Sequence, residues 1–233
     1  MLERLKQEVC EANRRLVEKG LVALTWGNAS GIDRPEGLVV IKPSGIEYVA
    51  LTPEAMVVID LGGRVIEGLS NPSVDTPTHL LLYKSFAAIG GVVHTHSHYA
   101  TCFAQACRPI PCLGTTHADY FCGEVPVTAP LAEEEVNENY EWQIGQSIVR
   151  RFEGVDVLRC PAVLVANHGP YTWGRSVAEA VENASVLEEV ARLAFHTLAL
   201  SPNAQPIAPH LLEKHFFRKH GSQAYYGQPT PPL

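Results

Sequence analysis

The sequence has no Cys-x-x-Cys pair, no Gly-x-Gly-x-x-Gly run and no Gly-x-x-x-x-Gly-Lys-[Ser/Thr] loop. Without a paired spacing, Cys10, Cys102, Cys107, Cys112, Cys122 and Cys160 read as buried thiols, not as a disulfide framework or a zinc knuckle. The missing glycine patterns argue against a dinucleotide or nucleotide cofactor. Positive charge is scarce too: 18 Lys and Arg stand against 25 Asp and Glu, for a formal net charge of -7. No global basic field is offered to nucleic acid or to an anionic membrane surface, so any phosphate has to be bound locally. No apolar run approaches the roughly 20 residues that span a bilayer. Met1 to Gly20, charged throughout, lacks the apolar stretch of a secretory leader. The expectation is a cytoplasmic protein with neither nucleic acid nor membrane as partner.

What is present is a chain of 233 residues, 46% hydrophobic, long enough to bury a sizeable core. Leu2, Leu5, Val9, Ala12 and Leu16 share one face of an opening helix that ends at Lys19-Gly20. Strand-like runs follow at 21–25, 38–41, 56–60 and 64–66, with Gly62-Gly63 as a hairpin turn. Thr76-Pro77 reads as a cap and first helical residue of a helix through Phe86, and Ser97 as the cap of a helix to about Ala106. Strands are expected at 92–96, 121–127 and 162–166, and a helix after the Glu-rich stretch into Phe152. Ser176 with Glu179 forms a capping-box pattern for a long helix to Leu200, and a last helix spans 211–220. No repeat or linker is found. The predicted fold is α/β, a single domain over 1–233 with a largely antiparallel central β-sheet and helices on both faces.

His94-Thr95-His96 is the strongest local pattern. On a strand, residues i and i+2 project to the same side, and Val92 of the same parity makes that side apolar at its start. A catalytic zinc commonly takes three protein ligands and keeps a fourth position open. His168, in Asn167-His168-Gly169-Pro170 after a buried strand, and Asp75, at a helix start, are candidates to complete the set. The dipeptide spacing alone is equally compatible with two histidines that bind no metal. His98 and His117 read as structural. Gly27-Asn28, Ser44-Gly45 and Pro72-Ser73 are turns whose backbone N–H groups can form an anion nest, with Lys42 beside them; each alone is also an ordinary turn.

Taken together, Thr25-Trp26-Gly27-Asn28, Lys42-Pro43-Ser44-Gly45, Asp75-Thr76-Pro77-Thr78-His79, His94-Thr95-His96-Ser97, Thr115-Thr116-His117-Ala118-Asp119-Tyr120, His168-Gly169-Pro170, Lys219-His220-Gly221 and Ala224-Tyr225-Tyr226-Gly227-Gln228 resemble the class II aldolase and L-ribulose-5-phosphate 4-epimerase family over about residues 1–228. The epimerase branch is the more similar, because Asp75 stands where the fuculose-phosphate aldolases carry a glutamate acid/base group. The resemblance implies one Zn2+ per subunit on His94, His96, His168 and Asp75, and a homotetramer with active sites at subunit interfaces. It implies Asp119 and Tyr226 as the proton-transfer pair, Tyr226 coming from a neighbouring subunit. Phosphate contacts by the same resemblance are Asn28, Ser44, Gly45 and Ser73, and Thr115, Glu141 and His215 match further active-site positions. One departure is Ser73-Val74, where the family has Ser-Ser: a hydroxyl contact is lost and the Val74 N–H remains.

The substrate so implied is a small phosphorylated sugar whose C4 is inverted. That carbon is β to the C2 ketone, so its hydrogen is not acidified. Cleavage of C3–C4, rotation of the aldehyde and re-addition remain once a nicotinamide is disfavoured. The alternatives are a sugar-phosphate aldolase on the same scaffold, a non-catalytic binding module of the same fold, and a zinc hydrolase.

Overall fold

The structure, a computed structural model, describes residues 2–221 and 224–226. Gly227-Gln228 and the Pro-rich tail lie outside the described residues. Strands β1 (Asn28–Asp33), β2 (Leu38–Ile41), β3 (Val57–Asp60) and β4 (Val65–Glu67) form an antiparallel meander. Gly63, at φ +90°, makes the last hairpin, with its N–H on the Asp60 carbonyl at 2.9 Å. Strands β5 (Gly91–His94), β6 (Ala162–Leu164) and β7 (Pro170–Gly174) complete a seven-stranded sheet in the order β4-β3-β2-β1-β5-β7-β6, every neighbouring pair antiparallel.

Eight helices accompany it among the described residues: α1 (Leu2–Glu18), α2 (Thr76–Ser85), α3 (His98–Gln105), α4 (Thr115–Ala118), α5 (Glu133–Asn137), α6 (Tyr140–Arg151), α7 (Val177–Leu200) and α8 (Pro209–Lys219). The period of two along β2 divides the core. Val39 and Ile41 pack with Leu80, Leu82, Ile144 and Ile148 of α2 and α6, while Val40 packs with Val9 and Leu16 of α1 and Val177 and Val181 of α7. Helices therefore cover both faces of the antiparallel sheet, as expected. No described helix is long and apolar enough to cross a membrane.

Several elements differ from the sequence reading. Residues 21–25 are a turn, with Leu24 at φ +53°, and the strand lies instead at Asn28–Asp33. Its sequence, Asn-Ala-Ser-Gly-Ile-Asp, is poor in β-formers, yet all six residues are buried between two neighbouring strands. Residues 121–127 form only isolated bridges, Ile110 with Val125 and Val127 with Leu164, because Gly123 at φ +112° and Pro126 interrupt the run. β7 escaped notice because Gly169-Pro170 reads as a turn; Pro170 opens the strand, where its missing N–H is tolerated. β5 ends at His94, so His96 lies two residues past it in a loop.

Caps differ in detail. Asp75, not Thr76, holds the N-cap position of α2 without a side-chain capping bond, and the Thr76 hydroxyl donates back to the Ser73 carbonyl at 2.6 Å. Ser97 makes no side-chain cap of α3; the Glu188 carboxylate from α7 takes the Tyr99 and Ala100 N–H groups at 2.8 and 3.1 Å. Ser176 does cap α7, accepting from Glu179 N at 3.2 Å. Only Cys10, Cys112 and Cys160 are buried; Cys102 and Cys122 are half-buried and Cys107 is exposed.

One row of glycines fixes the start of α7 against the sheet. Gly31, Gly91 and Gly174 are paired side by side across β1, β5 and β7. A Cβ on Gly91 would stand 2.5 Å from Val177 Cα, and one on Gly174 2.8 Å from Ala180 N, so the helix backbone lies directly on the row. Gly91→Ala is expected to lower stability by about 1–3 kcal/mol through overpacking against unyielding backbone. Gly114→Ala, where an added Cβ meets nothing within 4 Å, is expected to change it by under about 0.5 kcal/mol. Urea unfolding midpoints measure both, and equal effects at the two positions count against this account of the row.

Candidate metal centre and active site

β5 carries His94 at its C-terminal end, between β1 and β7. Two glycines let neighbouring loops close on that end: a Cβ on Gly27 would lie 2.7 Å from the His94 carbonyl oxygen, and one on Gly169 2.8 Å from that of Thr95. His168 is delivered by the tight turn between β6 and β7. There Asn167 takes φ +61°, a conformation asparagine tolerates, and Val165 N bonds Gly169 O at 2.9 Å. The result is a cluster of three imidazoles, with His94 Nε2 at 3.2 Å from His96 Nε2 and 3.1 Å from His168 Nε2.

The second nitrogen of two rings is occupied. His94 Nδ1 is 3.0 Å from the Pro170 carbonyl oxygen, which can only accept, so its proton sits there and Nε2 presents a lone pair. His168 Nδ1 is 2.9 Å from the Tyr140 hydroxyl. Tyr171 stacks on His94 at 4.2 Å between centroids and 15° between planes. Burial, then the neighbouring His94 and His96, push His168 down to about 3, and burial pushes His96 down as well. Neutral imidazoles with converging lone pairs and oriented outer nitrogens are the donor set of a nitrogen-liking divalent cation. The residues fit a metal.

Asp75, expected as a fourth ligand, lines the same cavity, but its oxygens lie outside the trihistidine group; Oδ2 accepts from Asn28 Nδ2 at 2.6 Å. Burial raises this carboxyl, and the surrounding imidazoles with the Asn28 bond outweigh it, leaving it below the usual carboxylate range.

The cavity, 570 Å³, is lined besides the histidines by Gly27, Asn28, Lys42, Ser44, Gly45, Ser73 and Val74, every position read as an anion contact. Their loops are laced together by Ser44 N to Asn71 O at 2.9 Å and Ser73 N to Lys42 O at 3.0 Å. Lys42 is buried; its amine meets the Pro43 carbonyl at 3.3 Å and lies 4.9 Å over the Tyr48 ring, and burial lowers its pKa. Asn28 Oδ1 is buried with no partner among the described residues. Glu141 also lines the cavity.

Thr115, Asp119, His215 and Tyr226 do not line it. They form a second group: Asp119 accepts from Arg218 Nε and Nη2 at 2.9 and 2.6 Å and meets His215 Nδ1 at 3.0 Å, with Lys219 Nζ at 3.8 Å. Burial raises the Asp119 carboxyl, and Arg218 and His215 more than reverse it. Arg218 and Lys219 cover the Tyr226 ring at 5.1 and 4.5 Å, and the Thr115 carbonyl takes Asp119 N at 3.0 Å. His117 is structural as read: buried, it meets the Gly123 carbonyl at 2.7 Å, and burial pushes it down to about 4. Sequence reasoning missed Tyr140 and Tyr171, since their roles arise from contacts across the fold that no spacing announces.

The family description "Class II Aldolase and Adducin N-terminal domain" matches residues 7–195. The L-ribulose-5-phosphate 4-epimerases UlaF of Salmonella paratyphi A and Salmonella typhi are each 52% identical over 227 residues, covering 97% of this chain and 100% of the relative. Among solved structures, an L-fuculose 1-phosphate aldolase superposes with TM-score 0.79 at 26% identity, covering 92% of this chain and 95% of that one. YgbL of Klebsiella pneumoniae, titled a putative aldolase/epimerase/decarboxylase, superposes with TM-score 0.72 at 28% identity, covering 92% and 98%. Sequence, fold and trihistidine centre agree, and the chain belongs to the class II aldolase and adducin N-terminal domain family.

Proposed function

We propose that this chain interconverts L-ribulose 5-phosphate and D-xylulose 5-phosphate by inverting C4 through cleavage and re-formation of the C3–C4 bond. The observation that carries the reading is the convergence of three imidazoles in one cavity with a buried lysine and a set of N–H-rich turns. Near-full-length identity of 52% to proteins named for this epimerisation supports it. The likeness to an L-fuculose 1-phosphate aldolase keeps a lyase as the second reading, and Asp75 in the epimerase pattern favours the first.

His94, His96 and His168 would hold a divalent cation, which we take to be zinc, and it would supply Lewis-acid stabilisation for negative charge on the ketone oxygen. Asp75 completes or borders that centre. Lys42, Asn28, Gly27, Ser44, Gly45 and Ser73 grip the phosphate, which retains the aldehyde fragment while it turns. Val74 offers only its N–H there, a loss of about 1 kcal/mol against a hydroxyl contact. Asp119 and Tyr226 take and return the C4 hydroxyl proton on opposite faces, with Thr115, Glu141 and His215 supporting. Because the Asp119 group stands off the cavity of its own chain, it serves the cavity of a neighbouring subunit in a homotetramer. A sugar phosphate does not cross an apolar bilayer, so we place the reaction in the cytoplasm.

NMR of zinc-replete protein with L-ribulose 5-phosphate is expected to show D-xylulose 5-phosphate; accumulation of dihydroxyacetone and glycolaldehyde phosphate without it would reverse the choice between the two readings. His96→Asn is expected to lower bound zinc per chain and turnover together, each by about tenfold or more. Asp119→Asn is expected to cut turnover by about a hundredfold with zinc content unchanged. Refolding those two variants together is expected to restore part of the activity through hybrid sites, and a mixture no more active than its parts excludes the shared site.

A further inference from the structure

We propose that the Tyr140 hydroxyl donates a hydrogen bond to the substrate, in addition to orienting His168. The inference rests on the epimerase reading for its substrate and on a count of protons for its logic. A neutral imidazole carries one N–H. His168 Nε2 faces His94 Nε2 at 3.1 Å and its Nδ1 faces Tyr140 Oη at 2.9 Å. With Nε2 bare for a cation, the His168 proton sits on Nδ1 and is donated to Tyr140. His94 shows the same arrangement imposed independently, since its Nδ1 meets a backbone carbonyl that can only accept.

Tyr140 thus accepts with its oxygen, and its own O–H proton is left over. Among the described residues that oxygen makes no other hydrogen bond. The ring is half-buried at the start of α6, after Asn139 at φ 51°, and lines the trihistidine cavity beside Asp75 and Glu141. The unused proton therefore borders the space a ligand would fill. An oxygen of a sugar seated against the imidazoles is the acceptor it meets. On cleavage of C3–C4 the ketone-end oxygens of the substrate gain negative charge, so a donor placed there binds the transition state more tightly than the ground state. Tyr140 is accordingly assigned to the dihydroxyacetone end of the substrate, opposite the phosphate loops.

Tyr140→Phe keeps the ring and removes only the oxygen. Two readouts on the whole protein separate the two roles: zinc affinity by chelator competition, and kcat and KM for L-ribulose 5-phosphate with zinc saturating. Loss of the partner of His168 is expected to weaken zinc by about tenfold or more. Loss of the donor is expected to lower kcat by about a hundredfold even with zinc saturating, with KM changed far less. A kcat within about twofold of the unmodified enzyme at saturating zinc overturns the proposal, whatever the zinc affinity, because Tyr140 then acts through His168 alone. The unmodified enzyme in the same assay tests the epimerase reading separately. If it cleaves without epimerising, the same kcat comparison is made on cleavage, where the same oxygens gain charge.

Discussion

Three imidazoles converge, with His94 Nε2 at 3.2 and 3.1 Å from the Nε2 atoms of His96 and His168, and the surrounding fold has to hold them there. It does so unequally. His94 is held by strand pairing on both sides, by the Pro170 carbonyl and by the Tyr171 ring. His168 is held by a hairpin turn and by Tyr140. His96, exposed in the loop after β5, has only a tilted Trp26 ring at 6.3 Å and its fellow imidazoles as neighbours among the aromatic contacts. The centre is thus two fixed donors and one adaptable donor. The far end of the same strands is clamped by the Gly31, Gly91 and Gly174 row beneath α7, so the backbone that presents His94 is pinned at both ends.

The second constraint is the separation of charge between two polar groups. The trihistidine cavity holds Asp75 and Glu141 with Lys42, whereas Asp119 sits among Arg218, Lys219 and His215. A carboxylate bonded twice by a guanidinium is a weak base. In the proposed reading its basicity has to be recovered when a partner's cavity, with its own carboxylates, draws on the same cations. His215 lies 3.0 Å from Asp119 Oδ1 in the same group. Tyr226 belongs to the same cationic group, with Arg218 and Lys219 over its ring at 5.1 and 4.5 Å.

Much of this was legible in the sequence, and the failures share a cause. The opening helix, the β2 to β4 meander, the long α7 with its Ser176 cap and the three histidines all announce themselves by local period, cap or spacing. β1 does not, because its six residues are buried by neighbours on both sides and need no β-formers of their own. His94 and His96 do meet, although strand parity does not apply once β5 has ended; the loop brings His96 back. Asp75 was legible as a site residue, but not its turn towards Asn28, which depends on chain segments 47 residues apart in sequence. Tyr140 acts across 28 residues and Glu188 across 89, and neither leaves a local mark.

Lys42 shows how such a cavity discriminates on the proposed reading. Its amine is buried with one carbonyl contact and an aromatic face, less than a charged ammonium commands in water. Burial depresses its pKa, the neighbouring Asp75 carboxylate offsets this only in part, and the amine is left short of polar partners. A phosphate entering between the 42–45 and 71–74 turns meets it, together with N–H groups that gain little from a neutral hydroxyl. An unphosphorylated sugar would leave the amine unpaired, and polar groups left unpaired reject a ligand more sharply than a missing apolar contact does. On the proposed reading, selectivity for phosphorylated sugars rests on the desolvation of one buried lysine, and the exposed Val74, which gives up a hydroxyl at the rim, perturbs it far less than a change at Lys42 would.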